Sequence, residues 1–445
     1  MTEISLPREV RHILETLEKA GYEAYAVGGC VRDALLGREP NDWDVTTSAK
    51  PEQVKELFSH TFDTGIAHGT VSVLLGNETF EVTTYRIDGP YEDARHPSSV
   101  IFTPDLREDL RRRDFTINAM AYSDRTGIVD LFDGRGDLER KVIRAVGKAE
   151  ERFEEDALRI LRAVRFAAQL NFELDPDTAA AARELAGNLS KISAERIETE
   201  LEKLLISDHP ELLRTAWELG ITAVILPEFD RCMAQPQNNA HHIYSAGEHT
   251  LVALANIDAE KALRWTMLFH DLGKPEVVTI DENGTYHFRG HAKNSAVIAK
   301  KIMKRLKFDN DTMRTVQHLV GNHSMYPIET EEGVRRSINE IGEKLFPLFL
   351  KVKRSDILAQ SPEVQEKKLV YLDHIVQIYR GILERGECTS LAALAIGGDD
   401  LMQDGMERGR EIGDMLKKLL DEVLAHPEYN KKELLIEKSR QIRGL

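Results

Sequence analysis

The sequence predicts an α/β head, built as a small mixed sheet with helices, followed by an all-α remainder, and three observations carry that reading. Strand-like runs and glycine turns alternate with short helical patterns over residues 1–147. Past residue 148 the strand signals stop and amphipathic helical patterns take over. Histidines then gather between residues 241 and 323, setting a third region apart from a helical end that starts near residue 371. At 445 residues the chain exceeds what one core usually holds. It divides on these signals into 1–147, 148–235, 236–370 and 371–445.

Residues 9–20 have the apolar spacing of a short helix, and "YEAYAVGGC" reads as a strand running into Gly28 and Gly29. "VRDALLG" follows as a helix stopped by Gly37. "DWDVTTS" is a second strand, "PEQVKELFS" a helix with Pro51 in its first turn, and "TVSVLLGNETFEVTTYR" a hairpin turning at Gly76-Asn77. Beyond residue 148, "ERFEEDALRILRAVRFAAQL", "PDTAAAARELAGNL", "SAERIETELEKLLI" and "HPELLRTAWELG" read as successive helices. Near the end, Ile412, Leu416, Leu419, Leu420, Val423 and Leu424 form one apolar stripe after the glycine-rich turn "IGGDDLMQDGMERG".

Hydrophobic residues at 42% and charged residues at 30% fit a folded, helix-rich chain and argue against disorder. Cys30, Cys232 and Cys388 are far apart and form no C-x-x-C, so neither a disulfide framework nor a thiolate zinc site is implied. The N-terminus lacks an apolar signal core, and no uncharged apolar run reaches the roughly 18 residues of a membrane span. The expectation is a cytoplasmic protein with no membrane partner. A net charge of −16 argues against a chain coated in nucleic acid. Local basic clusters remain, Arg107 and Arg111 to Arg113 in one, Arg159, Arg162 and Arg165 in the other, and these suit one phosphate-rich ligand.

The stretch "GREPNDWDVTT" places Asp42 and Asp44 two residues apart at a strand start, where like charges on one face repel. A turn-forming, solvated strand end accounts for an isolated D-x-D; a cation between the carboxylates accounts for it when a phosphate cradle lies beside it. Gly28-Gly29 between strand and helix offers such a cradle, because backbone N–H groups are free there and no side chain blocks a phosphate. Arg32 follows one turn into the helix. Two carboxylates beside a triphosphate are what paired Mg²⁺ ions need for in-line nucleotidyl transfer. Glu81 is either a third member of that set or an exposed strand residue.

Four motifs in order, "VGGCVRDALLGREPNDWDVTT", "RRRDFTINAMA", "DLFDGRGDLERKVIRAVG" and "RFEEDALRILRAVRFAAQL", closely resemble the class II CCA-adding tRNA nucleotidyltransferases and the bacterial poly(A) polymerases. The resemblance implies a nucleotidyltransferase head at 1–147, a neck and body at 148–235 that select the nucleotide and bind RNA, and a tRNA-binding tail at 371–445. It implies that Gly28, Gly29 and Arg32 meet the incoming triphosphate, that Asp42 and Asp44 hold two Mg²⁺, and that Arg113, Asp114 and Asn118 meet the sugar and phosphates. It carries base selection to Asp156 and Arg159, expected on one helix face at i and i+3, with Arg162 and Arg165 facing phosphate. A carboxylate beside a guanidinium fork can mimic a base's pairing partner, though the same pair is also an ordinary surface ion pair.

The region "HHIYSAGEHTLVAL", "LRWTMLFHDLGKPE", "GHAKNSA", "LVGNHSMYP" and "KRSDILAQS" holds a second constellation. His249, adjacent His270-Asp271, and Asp356 give mixed imidazole and carboxylate ligands that suit Mn, Ni, Fe, Zn or Mg with positions left open for water. The pattern H…HD…D resembles the HD phosphohydrolase superfamily, which implies an HD domain at 236–370. His291 and His323 serve a second metal, grip a phosphate, or simply pack; Lys274 is placed to neutralise a phosphate.

The resulting expectation is an enzyme that adds CCA to the tRNA 3′ end from CTP and ATP, gripping the acceptor arm, with an additional phosphatase or 2′,3′-cyclic phosphodiesterase activity. An A-adding enzyme or poly(A) polymerase is the alternative within the superfamily. An HD phosphohydrolase with a non-catalytic RNA-binding head is the alternative outside it. The segment "GPYEDARHPSSVIFTPDLREDL" resembles the full-length loop whose shortening marks CC-only enzymes, so CC-only addition is disfavoured.

Overall fold

Val10, Ile13, Leu14 and Leu17 recur at helical spacing and bury one face of α1 (Arg8–Lys19). The fully buried run Ala24–Val27 then forms β1. This computed structural model describes residues 4–89, 99–239 and 241–445, and the chain separates into two units, Met1–Pro227 and Glu228–Leu445. Residues 90–98, most of the first half of the segment compared above with a full-length loop, lie outside the described residues.

In the first unit, α2 (Gly29–Leu35) follows β1 directly, then come β2 (Asp44–Thr47), α3 (Pro51–Leu57), β3 (Thr61–Gly65), β4 (Thr70–Leu75) and β5 (Glu78–Thr84). A small hairpin of β6 (Arg86–Asp88) and β7 (Val100–Phe102) precedes α4 (Leu106–Arg111), β8 (Met120–Ser123), β9 (Gly127–Asp130) and α5 (Gly134–Arg140). The main sheet has seven strands in the order β3-β4-β5-β2-β1-β8-β9. Only β2 and β5 are parallel, which makes it mixed, as expected. β4 and β5 meet across Gly76-Asn77, with Leu75 opposite Glu78, the two-residue turn read from the sequence.

Register decides which residues share an end of the sheet. Val27 pairs with Asp44 and Val45 with Val82, so Gly28, Asp44 and Glu81 fall at the same end of three adjacent strands. Asp42 does not lie in the strand, as the sequence suggested; β2 begins at Asp44, and Asp42 is an exposed residue of the loop before it. The sheet packs its Tyr25, Val27 and Ala121, with Ala119 just before β8, against Tyr85, Leu106 and Leu110.

The helical part of this unit runs α6 (Ala149–Glu155), α7 (Leu158–Leu170), α8 (Pro176–Leu185) and α9 (Ala194–Leu205). Strands do not vanish past residue 148, because β10 (Val142–Ile143) pairs in parallel with β11 (Glu173–Leu174). The single helix read over 151–170 is two helices. Asp156 caps α6 with extended backbone (φ −140°, ψ 102°) and breaks the run there.

The second unit is built from helices, apart from the short pair Thr279–Ile280 and Tyr286–His287. Helix Pro362–Glu384 runs straight through residue 371, so no break in secondary structure falls there. Helix Arg410–Ala425 buries Ile412, Leu419, Leu420, Val423 and Leu424 as read, with Met415 taking the core place expected of Leu416. Among the described residues, no helix is long and apolar enough to cross a membrane.

Candidate active sites

The sheet end that gathers Gly28, Asp44 and Glu81 opens onto a cleft of about 790 Å³. Gly28, Gly29, Arg32, Asp42, Asp44, Arg113, Asp114, Asn118, Arg162 and Arg165 all line it. Trp43, in the loop between Asp42 and Asp44, is half-buried and is not among the residues that line it. Gly28 has φ +87°, and a Cβ there would stand 3.0 Å from Arg113 Nη1, so the backbone needs glycine on two counts. A Cβ on Gly29 would stand 3.6 Å from Arg32 Nη2, an ordinary contact distance, so glycine is not demanded there by space.

The carboxylates converge electrostatically. Burial raises the Asp44 carboxyl above its ordinary range, Arg113 pulls against that, and Asp42 adds to it. Glu81 is an exposed residue of β5 that does not itself line the cleft; partial desolvation, then Asp44 and Asp42, raise its carboxyl. Carboxylates that crowd Asp44 and Glu81 in this way make a site where cationic charge relieves repulsion, and they fit the divalent ions expected there. Cys30, beneath them, is pushed up to about 11 by burial and by Asp44, which keeps its thiol inert.

A hydrogen-bonded chain fixes the basic wall. Arg32 donates through Nε and Nη2 to Asp33, each at 2.9 Å, and through Nη1 to Asn118 Oδ1 at 2.6 Å. Asn118 Nδ2 donates to Asp114 Oδ1 at 3.1 Å, and Asp114 Oδ2 accepts from Arg162 Nε at 2.9 Å and Nη2 at 2.6 Å. Glu200 on α9 closes the chain, accepting from Arg165 Nε at 2.9 Å and lying 3.5 Å from Arg162 Nη1. Burial opposes the Asp114 charge, but Arg162 and Asn118 overcome it and hold the carboxyl well below its usual range. Burial and the neighbouring Arg162 push Arg165 down to about 10. Phe166 sits among three guanidinium groups, with Arg165 3.6 Å, Arg32 5.0 Å and Arg162 5.3 Å from its ring centre.

Asp156 and Arg159 do not share one helix face as expected, because the chain breaks between them. Asp156 accepts from Arg196 Nη2 at 2.7 Å, whereas Arg159 donates to Glu155 at 2.6 Å and to the Arg112 carbonyl at 2.8 Å. Neither lines the cleft.

In the second unit, five helix ends and faces converge. His249 comes from helix Ala246–Ala255, His270 and Asp271 follow Lys261–Phe269, His291 opens His291–Arg305, His323 follows Asn310–Asn322, and Asp356 comes from Phe346–Leu358. His249, His270 and Asp271 form one cluster of ligand atoms within 4.8 Å of one another; Asp271, His291 and His323 form another. Asp271 belongs to both. Each imidazole uses Nδ1 on a backbone carbonyl: His249 on Ala359, His270 on Met267, His291 on Phe288 and His323 on Val320, at 2.7–3.1 Å. All four Nε2 atoms therefore turn inward, the orientation of metal-binding histidines. Asp271 Oδ1 is buried without a hydrogen-bond partner, and Oδ2 is reached by the ion pairs of Lys274 and of His270 Nε2 at 3.1 Å; an oxygen left open in this way fits a bound cation.

Asp356 Oδ1 lies 3.0 Å from His249 Nε2, and Lys274 Nζ 2.6 Å from Asp271 Oδ2. Burial opposes the charges of Asp271 and Asp356; His270 and Lys274 in the first case, and His249 in the second, hold both well below the ordinary range. Burial, His270 and His291 push His323 down to about 3, leaving it neutral and able to act as a ligand. The structure thus brings together every residue expected of this site.

Comparisons with known proteins follow the same outline. Residues 24–144 match the poly A polymerase head domain, residues 171–233 the RNA- and SrmB-binding site of polymerase A, and residues 288–438 tRNA nucleotidyltransferase domain 2. A CCA-adding enzyme of Levilactobacillus brevis is 35% identical over 441 residues, covering 97% of this chain and 98% of that one. The chain belongs to the CCA-adding enzyme family. Another CCA-adding enzyme, from Lactiplantibacillus plantarum, is 53% identical over 231 residues, a match spanning 51% of this chain and 55% of that enzyme. The crystal structure of the Bacillus stearothermophilus CCA-adding enzyme in complex with CTP superposes with a TM-score of 0.70 at 29% identity, over 98% of each chain.

Within this CCA-adding enzyme fold, sequence reasoning passed over Asp109, Arg196 and Glu200. Asp109 is fully buried, binds Arg112 at 2.8 Å and accepts from Thr46 of β2 at 3.0 Å, tying the arginine cluster to the strand that carries Asp44. Arg196 and Glu200 stand at i and i+4 on α9, and that shared face was the one available signal.

Proposed function

We propose that this chain adds C, C and A to the 3′ end of tRNA without a template, using CTP and ATP. Membership of the CCA-adding enzyme family supports the reading, and the observation that carries it is the single cleft lined by Gly28, Arg32, Asp42, Asp44 and Arg113. On this reading 1–147 is the transferase head, 148–235 the selecting and RNA-binding body, 236–370 the HD domain and 371–445 the tRNA-binding tail. Asp42, Asp44 and Glu81 would hold Mg²⁺, which supplies positive charge to the attacking and leaving oxygens. Arg32 and Arg113, beside the two glycines, receive the triphosphate. Asn118 and Asp114 meet the sugar while keeping Arg32 and Arg162 in place. The terminal ribose hydroxyl of the RNA attacks the α-phosphate, and pyrophosphate departs along the arginine wall.

Selection between C and A falls to Asp156 and Arg159, whose present partners Arg196 and Glu155 occupy the groups that a base would take. The test is a tRNA transcript lacking CCA, supplied with one nucleotide at a time. CTP alone should extend it by C and C, and ATP alone should leave it unextended; long A tails would move the reading to a poly(A) polymerase.

The second unit has its own reading, favoured by the open Asp271 Oδ1 and the four inward imidazoles. His249, His270, Asp271 and Asp356 would hold a divalent metal, with His291 and His323 completing a second position on Asp271. Such a metal supplies an activated water and a Lewis acid for hydrolysis of a phosphoester. Lys274, 2.6 Å from Asp271 and donating to Gln237 Oε1 at 2.6 Å, is held where a phosphate would meet it. Phosphate release from a 2′,3′-cyclic nucleotide, followed across several divalent metals, tests this activity. Release that survives His270→Ala would discard the ligand assignment.

A further inference from the structure

Helix His291–Arg305 carries no acidic residue, in a chain whose net charge is −16. Its buried face is Ala292, Ser295, Ala296, Ile298, Ala299, Ile302 and Met303. Its outer face is basic: Lys293, Lys300, Lys301 and Lys304 are exposed, and Lys307 continues the line past the helix end. Lys293, Lys300 and Lys304 recur at i, i+7 and i+11, which places them within a narrow stripe on one side of the helix. Arg305, by contrast, is already paired with Glu228 at 2.8 Å.

We propose that this lysine stripe is an RNA-binding track that holds the sugar–phosphate backbone. Among the described residues, none of the five lysine side chains forms an ion pair or hydrogen bond, so none is neutralised from within the fold. Unpaired like charges along one helix weaken it by self-repulsion, and a polyanion reverses that cost. The length suits such a ligand. Lys293 to Lys304 spans about 17 Å of helix axis at about 1.5 Å per residue, and a strand advancing about 3.4 Å per nucleotide presents about five phosphates over that distance. The residue choice suits it too, because lysine is a flexible point charge that grips phosphate without fixing sequence.

A groove of about 700 Å³ runs along one edge of the stripe, with Lys293 and Arg314 on its rim and Ala296 and Gly321 among its lining residues. His318, Gln317 and Asn322 add polar groups to its lining, so a nucleotide beside the track has hydrogen-bonding partners. A membrane surface fits poorly. Val297 is the one apolar residue on the exposed face of this helix, and interfacial helices need a broad apolar face to insert.

The proposal rests on RNA being the substrate of this chain, and the experiment separates the two. Binding of a 5′-fluorescein-labelled tRNA transcript lacking CCA is followed by anisotropy over a series of KCl concentrations, for the full chain and for a Lys293→Gln/Lys300→Gln/Lys304→Gln variant. Circular dichroism and thermal melting confirm that the variant is folded, and the corresponding Lys→Arg variant serves as the charge-conserving control. The expected result is a variant affinity at least about tenfold weaker at moderate salt. The slope of log affinity against log salt should be shallower by roughly 2, at about 0.7–0.9 for each phosphate that lysine no longer neutralises, and the arginine variant should match wild type. Unchanged affinity and slope in the glutamine variant would overturn the track while leaving the proposed function intact. A wild-type chain that fails to bind the transcript would overturn both. Wild-type binding to phosphatidylglycerol vesicles that the glutamine variant loses, with tRNA binding unaltered, would reassign the stripe to a membrane surface.

Discussion

Gly28 shows what a single position contributes. Its φ of +87° with ψ −132° lies where side chains are strained, and a Cβ there would press on Arg113 Nη1 at 3.0 Å. Gly28→Ala should therefore destabilise the first unit by about 1–3 kcal/mol and displace the guanidinium. The measurement is urea unfolding of the variant beside nucleotide titration; unaltered stability with unaltered nucleotide affinity would contradict the role. This residue was legible from its place between a strand and a helix. Asp42 was legible as chemistry but not as structure, because two aspartates near a strand start look alike until the register fixes β2 at Asp44. Glu81 could not be placed from spacing at all. Its neighbour Asp44 lies on a parallel strand reached through α3 and a hairpin, and no local pattern encodes that pairing.

At the level of elements, α7 and α9 are joined by charge as much as by packing. Glu200 is 4% exposed and serves Arg162 and Arg165 together. Removing one partner of a buried ionic cluster leaves the others uncompensated, at about 3–5 kcal/mol. Glu200→Gln should lower the unfolding free energy by an amount in that range, seen as a lower urea midpoint at unchanged urea dependence, and should raise the KM for nucleotide as the arginines lose their anchor. Asp114 adds a pH signature. Its folded carboxyl titrates below the unfolded one, so its stabilisation is complete above the unfolded value of about 3.9 and is lost as pH falls through the folded value. Asp114→Asn should flatten the acid limb of the stability profile below about pH 4 while lowering stability at neutral pH; an unchanged acid limb would contradict it.

The helix break at Asp156 was the feature least visible beforehand. "EEDALRILRAVRF" has good helical spacing throughout, and the interruption comes from tertiary partners. Arg196 holds Asp156 on one side, and the Arg112 carbonyl with Glu155 holds Arg159 on the other. Propensity and periodicity act locally, so they had no access to these contacts.

On the scale of the whole molecule, the chain divides into two units at residue 227, each with its own candidate chemistry. Composition and motif order made the α/β head and helical remainder readable. The order of the seven strands depended on β8 and β9, which carry no marked alternation and were not anticipated. In the second unit the residue types of a ligand set stood out in the sequence, and the structure gathers His249, His270 and Asp271, and Asp271, His291 and His323, into two clusters. A bound metal should stabilise that unit by mass action, by about 2.7 kcal/mol at a concentration one hundred times its Kd. Thermal melting with and without added Mn²⁺ or Ni²⁺ measures this, and the shift should vanish in His270→Ala.

The central claim is that the first cleft rebuilds the tRNA end. A tRNA transcript lacking CCA, incubated with CTP, ATP and Mg²⁺, has its 3′ ends sequenced for the wild-type chain and for Asp44→Asn. Ordered CCA on the wild-type product, with incorporation reduced by at least about 100-fold in the variant, is the predicted result. Heterogeneous A tails, or CCA addition that persists in Asp44→Asn, would contradict it.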